Sequence, residues 1–364
     1  MSKIISIGTA VPQHRTEQKE ILEFMHAAYD NDVTASRKLN VLFHNSGIHT
    51  RYSAIPDFDK TSHEHIFFNG TPSKANVENR LEVFKERAIP LAIEAINDSF
   101  KKTNTTLKEF GITHLITVTC TGIHAPGLDA ELIYQLDLPK DIYHTAVNFL
   151  GCNAAFHALK IADMISKTDE DAKILIVCVE LCTLHFQPKD NHANLLSNTI
   201  FGDGAAAVII TSDKHSSKDS LTINGFYSIL LDKGKDLMGW NITPINFEMI
   251  LDAKIPEVLG EEIISILNNA TKKFNVSPHS LTHWAIHPGG KKIVDVIKSK
   301  LKLSDEDTEA SYKILDEYGN MSSPTILFVL SELMQQENKQ GETIFSIGFG
   351  PGLSIETALF TYAR

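Results

Sequence analysis

Cys152 follows a glycine and opens GCNAAFHALKIADMI (151–165), a segment that is apolar and rich in alanine. A thiol at the start of a helix meets the positive end of the helix dipole and unpaired amide groups. Both favour the thiolate, which is the nucleophile. The plain alternative is a small cysteine packing a helix end, the usual fate of free cysteine. Cys120, Cys178 and Cys182 each sit in an apolar strand pattern and are read that way. His287 closes the apolar run LTHWAIHPGG (281–290). Strand ends are where α/β architectures project side chains into a crevice. The glycines that follow, Gly289 and Gly290, let a ligand approach the backbone. Its plain alternative is a histidine satisfied at a turn. Asn320 lies in YGNMSS (318–323), immediately before the apolar run of a second helix. Taken alone it is a helix cap, a position that suits asparagine. Taken together the three are a nucleophile, a base and an amide donor, the set that acyl transfer needs.

The elements that must position them occur twice. THLITVTCTG (113–122) reads as a buried strand, followed by the helix that Cys152 opens, then the strands AKILIVCVEL (172–181) and GDGAAAVIITSD (202–213). In the second half LTHWAIHPGG is a strand. GKKIVDVIKSKL (290–301) has helical spacing, with Ile293, Val294 and Ile297 on one face. GNMSSPTILFVLSELMQQ (319–336) is the second central helix, and ETIFSIGFGPGLSIETALF (342–360) is strand, glycine turn, strand. The pattern predicts a pseudo-duplicated α/β domain with two central helices sandwiched between two sheets. The halves are 1–215 and 216–364, divided in the polar stretch TSDKHSSKDS (211–220). If they are pseudo-symmetric, Cys152 and Asn320 head equivalent helices and point into one crevice, with His287 beside it.

The 364 residues suffice for two packed halves. A net charge of -11 leaves no basic excess to neutralise phosphates, which argues against a nucleic-acid partner. No apolar run is long enough to span a membrane, and the N-terminus has no signal-peptide pattern. Four cysteines without CxxC spacing suit a reduced, cytoplasmic protein. His63 and His65 form the densest histidine cluster but lack a second ligand pair, so no metal site is expected.

The sequence resembles the chalcone-synthase-like type III polyketide synthases. Gly348-Phe349-Gly350-Pro351-Gly352 followed by LSIETALF looks like the family's C-terminal signature. HPGG at 287–290, GNMSS at 319–323, Phe201 with GDGAAA, APG at 125–127 and MGW at 238–240 are similar too, in the same order and along nearly the whole chain. The resemblance implies a homodimer with the thiolase-like, five-layered αβαβα fold. It implies iterative decarboxylative condensation of malonyl-coenzyme A onto an acyl starter, with no metal and no bound cofactor. It assigns Cys152 as nucleophile, His287 and Asn320 as its catalytic partners, and Phe201 as a gate between substrate tunnel and cavity. The second gate position falls on Met249, with Phe247 two residues earlier. Ala125, Cys182, His185, Trp240 and Ser322 fall where the family shapes its cavity, and Gly350 in its signature. Gly289 and Lys38 match coenzyme A positions, while the neighbouring basic positions fall on Val41 and Asn45. That departure leaves coenzyme A or an acyl carrier protein as the carrier. Small Ala125 and Cys182 suggest an aliphatic acyl starter and an alkylpyrone or alkylresorcinol product. The alternatives are a single-step β-ketoacyl-carrier-protein synthase III-like enzyme and a catalytically silent partner subunit.

Overall fold

A computed structural model describes all residues except 60, 61, 63, 69–74, 216–219, 338, 339 and 364. His63 therefore lies outside the described residues. The chain runs β1 (Ser2–Ala10), β2 (His14–Glu17), α1 (Gln18–Ala28), α2 (Val33–His44), β3 (Thr50–Ser53), α3 (Val77–Lys101), α4 (Leu107–Phe110), β4 (His114–Thr119), α5 (Leu128–Gln135) and β5 (Tyr143–Asn148). It continues through α6 (Ala154–Thr168), β6 (Lys173–Leu181), α7 (His192–Ile200) and β7 (Asp203–Ser212). The second half holds β8 (Ser220–Leu230), β9 (Met238–Ile242), β10 (Phe247–Leu251), α8 (Ile255–Phe274), β11 (His283–Ile286), α9 (Lys291–Leu301), α10 (Asp305–Tyr318), α11 (Thr325–Gln335), β12 (Thr343–Gly350) and β13 (Ser354–Ala363).

Strand alternation sorts these elements into layers. On β6, Ile174, Ile176 and Cys178 face a central core, while Leu175, Val177 and Val179 face an outer one. The outer core belongs to α1, α2, α3 and α5. The central core contains α6 and α11, with Ile326 to Leu330 of α11 buried all round, and inward residues from both halves. On β12, Ile344 joins that central core, and Phe345, Ile347 and Phe349 pack outward onto α8 and α9. Helix, strand, helix, strand, helix is the five-layered arrangement, and strands apolar on both faces are what it demands. The two expected sheets prove to be joined. The order is β11-β12-β13-β8-β1-β7-β6-β4-β5, and β1 meets β8 through the pairs Lys3–Thr222 and Ile4–Leu221. Both edges are buried here, and joining them satisfies backbone groups that would otherwise go unpaired.

Candidate active site

Cys152 lies in a short 3-10 turn, Gly151–Asn153, that leads into α6. Gly151 has φ +76°, and a Cβ there would stand 2.3 Å from Pro351 Cδ, so only glycine lets the turn lie against the 351–353 loop. His287 sits one residue beyond β11, and its backbone N–H donates to the Ile347 carbonyl.

Asn320 departs from the sequence expectation. α11 begins at Thr325, with Pro324 as its N-cap, so Asn320 caps nothing. Residues 320–324 form a hook instead, with Ser322 in the left-handed region at φ +60°. The hook is tied to the gate. Asn320 N–H donates to the Ile200 carbonyl and Gly202 N–H donates to the Asn320 carbonyl, a parallel bridge beside Phe201. The side chain is oriented as well. Ser322 N–H donates to Asn320 Oδ1 at 2.8 Å, which turns Nδ2 toward Cys152 Sγ at 3.9 Å and the Gly289 carbonyl at 3.4 Å. Three segments from distant parts of the chain therefore meet at this amide.

Burial disfavours charge here. It pushes the Cys152 thiol up to about 11. The charge of Glu180 adds to the rise, while hydrogen bonds from Ser322 and Asn320 oppose it. Burial pushes His287 down to about 3, and neither ring nitrogen has a partner among the described residues. Burial thus opposes the thiolate expected from a helix N-terminus, and it opposes an imidazolium at His287 as well. A neutral His287 has one lone pair and one N–H without a partner among the described residues.

A cavity opens beside Cys152. It holds about 970 Å³ of empty space including its mouth. Cys152, Ser322, Cys182, His185, Trp240, Phe201 and Met249 line it, and so does Phe247. His287 and Asn320 are fully buried and are not lining residues, contrary to the expectation that they project into the crevice. His185 is a fixed strut. Its Nε2–H donates to the Thr121 carbonyl at 2.7 Å, its Nδ1 accepts from Phe247 N–H at 3.1 Å, and its ring stacks on Phe247 at 4.4 Å. Burial pushes it down to about 3, so it stays neutral and holds the β9–β10 hairpin against the cavity floor.

One lining residue and one buried carboxyl behind it were missed in the sequence. Cys120 was read as packing, yet it faces the cavity and its Sγ accepts from Gly151 N–H at 3.0 Å. Glu180 is a fully buried carboxyl that accepts from Cys120 N–H, Thr121 N–H, Thr121 Oγ1 and Ser323 Oγ. Burial pushes it up to about 7 against those donors. A lone glutamate inside ILIVCVEL was the available signal, because a buried carboxyl needs partners.

Family models for chalcone and stilbene synthases match this chain, the N-terminal domain over residues 1–214 and the C-terminal domain over 228–362. The chain belongs to the chalcone and stilbene synthase family. A putative chalcone synthase of Bacillus subtilis is 30% identical over the full length of both chains. The alpha-pyrone synthesis polyketide synthase-like Pks18 of Mycobacterium tuberculosis is 28% identical over 99% of this chain and 91% of its own. Among solved structures, PKS-I of the brown alga Ectocarpus siliculosus superposes with a TM-score of 0.91 at 29% identity, covering 99% of this chain and 98% of its own. The C-terminal type III polyketide synthase domain of Steely1 from Dictyostelium gives 0.88 at 26% identity, covering 100% and 99%. This chalcone and stilbene synthase family member is a type III polyketide synthase, and its family works on malonyl- and acyl-coenzyme A without a cofactor.

Several expected positions fall elsewhere in this synthase. Ala125 lies in an exposed loop before Pro126 and is not part of the cavity wall. Gly350 is also away from the wall. A Cβ there would stand 2.3 Å from Asn153 Oδ1, so its absence lets the Cys152 turn seat against β12. Gly289 contributes the carbonyl facing Asn320. Lys38 Nζ is 2.8 Å from Asp190 Oδ1, an exposed ion pair. Val41 is exposed, and Asn45 Nδ2 donates to the Val41 carbonyl. Among the described residues no helix is long and apolar enough to cross a membrane.

Proposed function

We propose that this type III polyketide synthase loads an aliphatic acyl group from coenzyme A onto Cys152, extends it with malonyl-coenzyme A and releases an alkylpyrone or alkylresorcinol. The observation that carries this reading is the cavity wall. Besides Cys152 it includes the apolar side chains of Ile21, Met25, Phe58 and Phe186, which suit an alkyl chain. The printed function of Pks18, alpha-pyrone synthesis, supports a pyrone product.

The chemistry starts from the neutral pair that burial favours. As Cys152 Sγ attacks the starter thioester carbonyl, its proton passes to the free nitrogen of His287 and then to the departing coenzyme A sulfur. Malonyl-coenzyme A next loses carbon dioxide, and the electron pair of the broken C–C bond becomes a thioester enolate. Asn320 Nδ2–H and the His287 N–H donate to the enolate oxygen. Its carbon attacks the acyl-Cys152 carbonyl and expels the thiolate, so the chain is two carbons longer on coenzyme A. Return to Cys152 repeats the cycle. Dry, prearranged donors of this kind stabilise a developing oxyanion far better than water does.

The test is mass spectrometry of products from malonyl-coenzyme A and acyl-coenzyme A starters of increasing length, with an acyl carrier protein as an alternative donor. Tri- or tetraketide pyrones or resorcinols are expected with coenzyme A donors. Products of a single extension would return the reading to a ketosynthase. Cys182→Phe should move the preferred starter to shorter chains, since the ring would fill the slot beside Cys152. An unchanged preference counts against the alkyl-slot reading.

A homodimer of this synthase is supported by β5. It is one edge of the sheet, opposite β11, and Tyr143 to Ala146 are exposed on it, with Tyr143 at 72%. An exposed edge of this kind is covered in most proteins. Sedimentation should give about twice the 40.4 kDa chain mass. A monomer would sink this assignment. Two halves divided at 215/216 and a cytoplasmic location complete the proposal, the latter supported by four free, buried cysteines.

A further inference from the structure

Three residues that line the cavity with Cys152 carry a polar atom without a partner among the described residues. Thr16 Oγ1, Ser197 Oγ and Arg51 Nη2 are buried and lack a hydrogen-bond partner among the described residues, and all three residues line the cavity. Unpaired buried polar atoms are uncommon, and three around one space call for a ligand.

The sequence places them together. Thr16 on β2 and Arg51 on β3 are direct cross-strand partners. The Arg51 guanidinium crosses to the end of α7, where its Nη1 donates to the carbonyls of Asn198 and Phe201. Ser197 is in that same turn. Arg51 Nε donates to Gln18 Oε1 at 2.9 Å. Two of the three guanidinium nitrogens are therefore fixed, and the third is held in place with nothing to bind. Asp203 does not use it, since its carboxylate accepts from Ala54 N–H, Thr183 N–H and Thr183 Oγ1. Thr16 and Arg51 are only 3% and 5% exposed, so bulk water does not serve them.

We propose that Arg51, Thr16 and Ser197 form a binding corner for an anionic oxygen carried by an acyl chain in the cavity. A cation and two hydroxyls all have hydrogens to donate, and the charge selects an anion. The adjoining wall, with Ile21 and Met25, takes the alkyl part. Two sources share this chemistry: a carboxylate at the end of a starter or released acid, and the enolate of a β-diketone in the growing chain. The inference rests on the reading that the cavity holds acyl chains, but not on turnover.

The test is equilibrium binding to the Cys152→Ala protein, which cannot be acylated. The probes are octanoate, a medium-chain β-diketone and octanol, each measured also with Thr16→Val or Ser197→Ala added. These two changes remove a hydroxyl and leave the bonds of Arg51 in place, so the fold survives. Octanoate or the diketone should bind roughly tenfold or more tightly than octanol, and that preference should shrink in both variants. A preference for octanoate identifies the carboxylate source, and one for the diketone identifies the growing chain. Equal binding of all three probes overturns the proposal. So do variants that gain thermal stability while keeping the preference, because the unpaired atoms would then be packing defects only. Loss of condensation in the product assay would leave these binding results standing, so the two readings fail separately.

Discussion

Cys152→Ala should lower product formation by at least about a thousandfold, because it removes the atom that carries the growing chain. The fold should be unaffected, since the thiol fills little space and its side-chain partners, Ser322 and Asn320, are held by other bonds of the 320–324 hook. Circular dichroism and melting temperature check that, and product mass spectrometry checks the loss. A variant retaining a tenth of the activity would reject Cys152 as the nucleophile. The pH dependence of alkylation adds a second reading. With the thiol pushed up to about 11, the thiolate fraction is small at neutrality and rises about tenfold per pH unit. Labelling of Cys152 by iodoacetamide, located by peptide mapping, should therefore climb steadily from pH 7 to 10. A plateau already reached at pH 7 would mean that Cys152 and His287 rest as an ion pair, contrary to the neutral pair that burial favours here.

Asn320→Asp should separate the two half-reactions. Aspartate keeps an oxygen for Ser322 N–H and Thr325 Oγ1 but removes the Nδ2 hydrogens and adds a negative charge. Stabilisation of the enolate should fall by about 3–4 kcal/mol, or roughly 10²–10³ in rate. Loading of the starter onto Cys152 needs no enolate and should be affected far less. Intact-protein mass spectrometry reads loading, and malonyl-dependent product reads extension. Equal losses in both would show that Asn320 acts by holding the 320–324 hook and not by donating to the oxyanion.

The strands and helices around the site were legible because their signals are local. ILIVCVEL is apolar at every position but Glu180, which marks a strand buried on both faces, and β6 proves to be one with a core on each side. The apolar spacing of Ile293, Val294 and Ile297 marks α9, and those three residues are its buried face. The types of Cys152, His287 and Asn320, and the glycines around them, are likewise written in the chain. The family resemblance rested on short motifs of this local kind.

Other properties depend on neighbours that sequence distance hides. Asn320 reads as a helix cap, since it precedes an apolar helix. Its role is decided by Cys152, 168 residues away, and by the bridge to Phe201. Glu180 is tolerable in a buried strand only because Ser323, 143 residues distant, and the 119–121 segment supply its hydrogen bonds. The burial that opposes a Cys152 thiolate was hidden for the same reason. A helix dipole can be inferred from a few residues, but desolvation sums over every group packed around the thiol. The chain alone determined which chemical groups and which local elements are available. Tertiary packing decided which groups meet, which are paired and which remain unpaired beside the cavity, because hydrogen bonding and burial are set by contacts across the whole fold.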